Sequence, residues 1–365
     1  MKIQKKHLLL SLLLPIQIIL VQVAGEYPAF IELYYSNGVY PIISRFLRLL
    51  FGWVPFSVGD LMIAILSFTF FRFIYRLIKS RFKNWIPKAF HLTAILSGIY
   101  FCFYLFWGLN YYRAPLGETL AYNQKEYSTN QLISTTNYVV EQLNFYQHLI
   151  THNDSLKVEN PYSQEEMYLM AIAGYQNLEA DFPMLTYKTP SIKSSLMSLL
   201  QTYNGTSGYF NPLTGEAQVN DRIPKTGYPT TTCHEMAHQI GFAAENEANF
   251  VGFLAAKYND DVYFKYASYR MAFAYLIGEV RKRDRQAFTE IWKKAHKGIR
   301  KDFKNSATFW QSYKNPFEPL VKKGYNAYLK ANKQDKGTAS YSYVVDLLIS
   351  YFKDKESQII PNRKE

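Results

Sequence analysis

Apolar residues are unevenly spread along this chain. They crowd the first 110 positions in three long runs, then give way to a spaced pattern of helical period. The runs cover 8–24, 60–78 and 90–109. At about 1.5 Å per residue, each is long enough to cross most of ~30 Å of hydrocarbon. The first follows Lys2, Lys5 and Lys6 and has the composition of a signal peptide, with Val23, Ala24 and Gly25 as a candidate cleavage site. Between 27 and 56, aromatic residues mix with Arg45 and Arg48, which predicts an interfacial helix or a partial re-entry.

Beyond residue 113 the periodicity predicts amphipathic helices at 129–144 and 163–178, a loop at 183–190 and a helix at 191–200. Further helices are expected at 244–256, 263–280, 284–297, 316–330 and 342–352. The stretch 205–224 breaks the rhythm. Asn211, Pro212 and Gly215 mark a turn between two short strands, 209–210 and 216–220. The fold class is therefore mainly α with a small β-hairpin (α+β), behind N-terminal transmembrane helices. The chain divides into a membrane region (1–112), a soluble domain (113–352) and a charged tail (353–365) expected to fray.

Charge orients this arrangement. Arg72, Arg76, Lys79, Arg81, Lys83 and Lys88 surround the connection between the second and third runs, with no acidic residue among them. The positive-inside rule then puts that loop and the N-terminus in the cytoplasm, and the large C-terminal domain outside it. The expected location is the inner (cytoplasmic) membrane, multi-pass, with the lipid bilayer as first partner. The net charge of +12 does not indicate nucleic acid, since no Arg-rich arm or nucleic-acid motif accompanies it. The two cysteines, Cys102 and Cys233, fall in different layers, which excludes a disulfide between them.

The strongest chemical signal is His234-Glu-Met-Ala-His238. Four residues apart on a helix, two imidazoles lie on one face and can hold one Zn²⁺, with Glu235 beside them to reach a water. Catalytic zinc takes a third protein ligand from another element. Gly241 can end the motif helix, and the next helix returns with Glu245, Glu247 and Asn249. Either glutamate could ligate; Glu245 is favoured, because Asn249 shares its face and can steady a ligand by hydrogen bonding. Ala248 would let the two helices approach. Cys233 points about 100° away from His234 and is not expected to ligate. His148 and His152 are read as surface residues.

His-Glu-x-x-His followed by Glu-x-x-x-Asn resembles the gluzincin-like zinc metallopeptidases. More closely, the chain resembles an uncharacterised bacterial family of integral-membrane proteins placed in that superfamily. The resemblance rests on residues 107–113 (WGLNYYR), 209–220 (YFNPLTGEAQVN), 233–241 (CHEMAHQIG) and 342–346 (SYVVD). It implies a zincin-like domain, a zinc site and an extracytoplasmic face. The chain departs from the superfamily in spacing, with only seven residues from His238 to Glu245 and nine to Glu247. Gly241 also matches the metzincin pattern, but Ala244 stands where that pattern needs its third histidine.

The expected function is a membrane-anchored, zinc-dependent metallopeptidase-like hydrolase of peptide or envelope-protein substrates. Glu235 would be general base, and Tyr343 would stabilise the oxyanion. The strand Glu216, Ala217, Gln218, Val219 and Asn220 would pair with extended substrate as an edge. Two alternatives stand beside this: a silent envelope protein with a structural metal site, and a zinc amidase on a non-peptide envelope substrate. Intramembrane proteolysis does not fit, because the motif's surroundings are too polar for a hydrophobic span.

Overall fold

The computed structural model describes residues 4–122, 127–333 and 343–359. Helix α1 (Lys5–Ala24) is followed by a single turn, α2 (Pro28–Phe30), a π-helical stretch (Ile31–Val39) and α3 (Tyr40–Gly52). Next come α4 (Val58–Lys79) and α5 (Trp85–Phe106). Helices α1, α4 and α5 span 20, 22 and 22 residues, and all three are long and apolar enough to cross a membrane. Their side chains are almost wholly exposed, as lipid-facing helices require. These three helices mark a membrane protein. α1 runs parallel to α5, with the Ser11 hydroxyl at 2.6 Å from that of Thr93 and the buried Ala94 and Ser97 permitting close approach. The short connection from α4 to α5 then places the C-terminal ends of α1 and α5 on the same side as the start of α4.

The segment between α1 and α4 does more than lie at an interface. On α3, Tyr40, Ser44, Leu47 and Arg48 follow helical spacing and are all buried against the soluble part. The opposite face, with Ile42, Phe46 and Leu49, is exposed.

The soluble part contains α6 (Leu116–Thr119), α7 (Thr129–Thr151), α8 (Gln164–Leu178), β1 (Ile192–Ser194), α9 (Ser198–Asn204), β2 (Gly208–Asn211) and β3 (Glu216–Val219). Helices α10 (Tyr228–Gln239), α11 (Glu245–Tyr258), α12 (Val262–Arg283), α13 (Arg285–Lys294), α14 (Lys297–Ser312), α15 (Glu318–Ala331) and α16 (Tyr343–Ile359) follow. Side chains fix many starts. Ser128 with Gln131, and Ser163 with Glu166, form reciprocal caps on α7 and α8. Asp261 and Asp284 accept backbone N–H bonds at the starts of α12 and α13.

Three sequence expectations need correction. The helix expected over 191–200 divides into β1 and α9, because Ile192 to Ser194 pair in register with Ala217 to Val219. Helix α14 was not anticipated, its apolar positions being sparse. The tail expected from 353 is helical as far as Ile359; 360–365 lie outside the described residues.

The sheet has the order β1-β3-β2, with β3 parallel to β1 and antiparallel to β2. The hairpin forms where expected, its turn helped by the positive φ of Gly215 (69°). Its second strand, however, is the middle strand. Both edges of β3 are paired, so 216–220 cannot add an extended substrate; the strands with an unpaired edge are β1 and β2, and β2 is the one beside Glu235. Helices α10 and α11 lie at the centre of the main core, with α8 and α12 packed around them.

Candidate metal centre

Helix α10 carries the His-Glu-x-x-His motif. Pro229 sits in its first turn, where a missing N–H costs nothing. The helix ends at Gly241, whose φ of 95° lets the chain reverse, with the Phe242 N–H donating to the Ala237 carbonyl at 3.2 Å. That reversal brings the Phe242 carbonyl to 2.7 Å from His238 Nδ1. A carbonyl only accepts, so His238 carries its proton on Nδ1 and presents a bare Nε2. The two imidazole rings stand at 85° with centroids 4.7 Å apart.

Helix α11 returns alongside and brings Glu245 to both. Its Oε2 lies 3.5 Å from His234 Nε2, and its Oε1 lies 3.8 Å from His238 Nε2. Two atoms each ~2.0–2.1 Å from a tetrahedral ion are about 3.3 Å apart, so this donor set is close to the spacing that zinc needs. Among the described residues, His234, Glu235 and His238 offer ligand atoms all within 4.8 Å of one another and could hold a metal ion. Asn249 follows one turn after Glu245 on the same face of α11, and its Nδ2, like His234 Nδ1, is buried without a hydrogen-bond partner. Gly252, a further turn on, lets the helices meet: a Cβ there would lie 2.9 Å from the His234 backbone nitrogen. This is the close-approach residue of α11, in addition to the small Ala248.

Glu235 is buried, and its Oε2 has no hydrogen-bond partner. Such an orphan is costly unless something outside the chain satisfies it. Strand β2 crosses it closely; a Cβ at Gly208 would lie 2.7 Å from Glu235 Oε1. Burial pushes the Glu235 carboxyl up to about 8, against the attraction of His234 and with the help of Glu245. Burial and the neighbouring His234 hold His238 down at about 4. For His234 the burial penalty is outweighed by Glu245, Glu235 and Asn249, so it is raised. Burial works against the Glu245 carboxylate too, but its bond to His234 and the charge of both imidazoles lower it overall.

The structure does not bring every expected residue here. Glu247 points elsewhere, its Oε1 accepting the Leu116 N–H at 2.7 Å, and burial raises its carboxyl to about 7. Two residues along a helix is about 200° of rotation, so Glu245 and Glu247 cannot share a target. Tyr343 opens α16, which packs on the face of α11 that carries Phe250 and Phe253. The centre lies on the face that carries Glu245, Asn249 and Gly252. The phenol that reaches the centre is Tyr325 of α15, whose hydroxyl donates to Glu245 Oε1 at 2.7 Å. Nothing local in the sequence marks Tyr325 among 31 tyrosines. Gly252 did leave a signal, as a glycine inside a predicted helix.

On β3, Glu216 is fully buried in an ion pair with Lys193 at 2.5 Å. It also accepts the N–H groups of Val58 and Gly59 at the start of α4, so it ties a membrane helix to the sheet. Ala217, Gln218, Val219 and Asn220 are likewise buried. Cys233 is a buried free thiol, and His148 and His152 are exposed, as anticipated.

The membrane region also finishes α10. Tyr40 and Ser44 donate to the Gln239 carbonyl at 2.9 and 2.8 Å, Trp107 to that of His238 at 3.2 Å, and Arg113 to that of Gly241 at 3.0 Å. These are the carbonyls that a helix end leaves without partners.

The fold and site thus define a membrane protein whose helical domain carries a buried His-Glu-His cluster able to hold a metal ion. The chain belongs to the family described as protein of unknown function (DUF3810), whose model matches residues 35–349. No curated protein and no solved structure matches it.

Proposed function

We propose that the protein is a membrane-anchored, zinc-dependent hydrolase that cleaves amide bonds in peptides or envelope proteins. His234, His238 and Glu245 would hold the ion. Bound there, zinc would supply Lewis acidity toward a water and a substrate carbonyl. Glu235, with its unpartnered carboxylate oxygen, would take a proton from the attacking water and return it to the leaving amine. The free edge of β2, passing beside Glu235, would align an extended substrate through backbone hydrogen bonds. Tyr325, whose hydroxyl donates to Glu245 Oε1, would turn that hydroxyl to a developing oxyanion. The basic connection between α4 and α5 supports an extracytoplasmic location for this domain in the inner membrane.

The observation that carries this reading is the unsatisfied Glu235 carboxylate beside three converging donors. A site that only fastens two helices needs no such base. The test is metal content and amide hydrolysis of the purified full chain, with Glu235→Gln and Glu245→Ala. Expected are one zinc per chain, retained in Glu235→Gln without hydrolysis and lost in Glu245→Ala. Zinc without hydrolysis of any peptide, or of envelope material, would make the site structural. No zinc uptake by the folded chain would overturn the reading altogether.

A further inference from the structure

Three exposed apolar faces outside the spanning helices stand at the same level of the molecule. Helix α9 is tied to the first turn of α4, where Asp60 accepts the Leu196 N–H and the Ser195 hydroxyl, each at 2.8 Å. From that position it exposes Leu199, Leu200 and Tyr203, and Leu196 is exposed just before it. Helix α15 reaches from α9 to the ends of α1 and α5. Before its start, Asn315 donates to the Tyr203 carbonyl at 2.7 Å. After its end, Asn332 accepts from Tyr104 of α5 at 2.9 Å, and Lys333 donates to the Gly25 carbonyl just past α1 at 2.8 Å. Between these ties Phe317 is 73% and Leu320 69% exposed, on a helix that also exposes Lys322, Lys323 and Lys330. The outer face of α3, leading into α4, adds Phe46, Leu49 and Trp53.

Each face is anchored to the end of a spanning helix, on the side where α1 and α5 finish and α4 begins. Apolar faces of this extent are uncommon on surfaces bathed by water. On α15 the exposed apolar residues are accompanied by exposed lysines, a combination that suits a lipid headgroup layer; α3 and α9 contribute apolar and aromatic residues. The faces also continue the lipid-exposed surface of the three spans.

We infer that α3, α9 and α15 form a collar seated in the phospholipid leaflet at the end of the spanning helices. The bilayer, and no second protein, covers these residues. One consequence concerns the metal centre. α15, with Phe317 at its N-terminal cap, carries both the lipid-facing Leu320 and the Tyr325 that touches Glu245, so the centre sits at membrane level. A partner for it would be met at the lipid surface.

The test uses the full chain in nanodiscs, with spin labels at Phe46→Cys, Leu199→Cys or Phe317→Cys in a Cys102→Ala background. Leu169→Cys on α8, itself well exposed and on a helix packed against β1, α10 and α11, is the reference. Collisions with dissolved oxygen report lipid, and collisions with a water-soluble nickel chelate report solvent. Collar labels are expected to gain oxygen collisions and to lose chelate collisions relative to Leu169. Collar labels that meet the chelate as freely as Leu169 would overturn the inference. Labels shielded from both probes would mean a protein cover, and would overturn it equally.

Discussion

Gly252→Ala tests whether the metal centre depends on the close approach of α11 to α10. A Cβ at this position would lie 2.9 Å from the His234 nitrogen and 3.0 Å from its Cα. Both are backbone atoms, so no side chain can swing aside. The helices must part or the methyl must be overpacked, at a cost of about 1–3 kcal/mol. A metal shared by His234 and Glu245, whose donor atoms are 3.5 Å apart, opposes that parting. If the whole strain returns on binding, affinity falls about 5- to 150-fold, since 1.4 kcal/mol is tenfold. Gly278→Ala is the control, because nothing lies within 4 Å of its added Cβ. A mid-helix alanine there should stabilise by roughly 0.5–1 kcal/mol. The assay is zinc competition against a chelating dye on the full chain, with thermal unfolding in parallel. A Gly252→Ala protein that binds zinc as tightly as the parent, with an unchanged Tm, would refute the reasoning.

Asn249→Ala should weaken zinc binding about 10- to 100-fold while leaving the fold intact, if its unpartnered buried amide, on the face of α11 that carries Glu245, steadies the ligands of a bound ion; the same dye competition reads this. Glu216→Gln leaves the Lys193 ammonium buried without its counter-charge and should cost about 3–5 kcal/mol in thermal unfolding. Adding Lys193→Met should recover much of that loss, and strictly additive effects would argue against the pair. Tyr325→Phe should keep the zinc and lower any hydrolytic kcat by about 10²- to 10³-fold. Zinc lost together with the hydroxyl would instead make Tyr325 a residue that holds Glu245 in place.

Much of the architecture was legible because it is written in local pattern. The apolar runs predicted α1, α4 and α5 to within a few residues, and the helical periodicity over 163–178 announced α8. Asn211, Pro212 and Gly215 announced the hairpin. His234, Glu235 and His238 were visible because helical spacing alone puts the two histidines on one face. Sequence also favoured Glu245, since Asn249 shares its face. What local pattern cannot carry is which strand ends in the middle of a sheet. The choice of β3 over β2 was decided by β1, whose pairing depends on Lys193 finding Glu216. Tyr325 was equally hidden, because its place over Glu245 depends on a helix 80 residues away along the chain.

The residues before 114 are usually what one would set aside as an anchor, yet they supply part of the centre's support. Four donors, from Tyr40, Ser44, Trp107 and Arg113, satisfy the carbonyls at the end of α10. The ring of Tyr40 also lies 3.0 Å from where a Cβ at Gly241 would stand. Phe210 and Ala243, from the soluble part, are buried in a small second core with Ile31, Tyr40, Trp107 and Tyr112. Removing the first 113 residues would leave these carbonyls to water and bare that core, just where His238 takes its tautomer from the Phe242 carbonyl. A soluble fragment would therefore lose definition first at the candidate ligands. The whole membrane protein is the unit in which His234, His238 and Glu245 are held together.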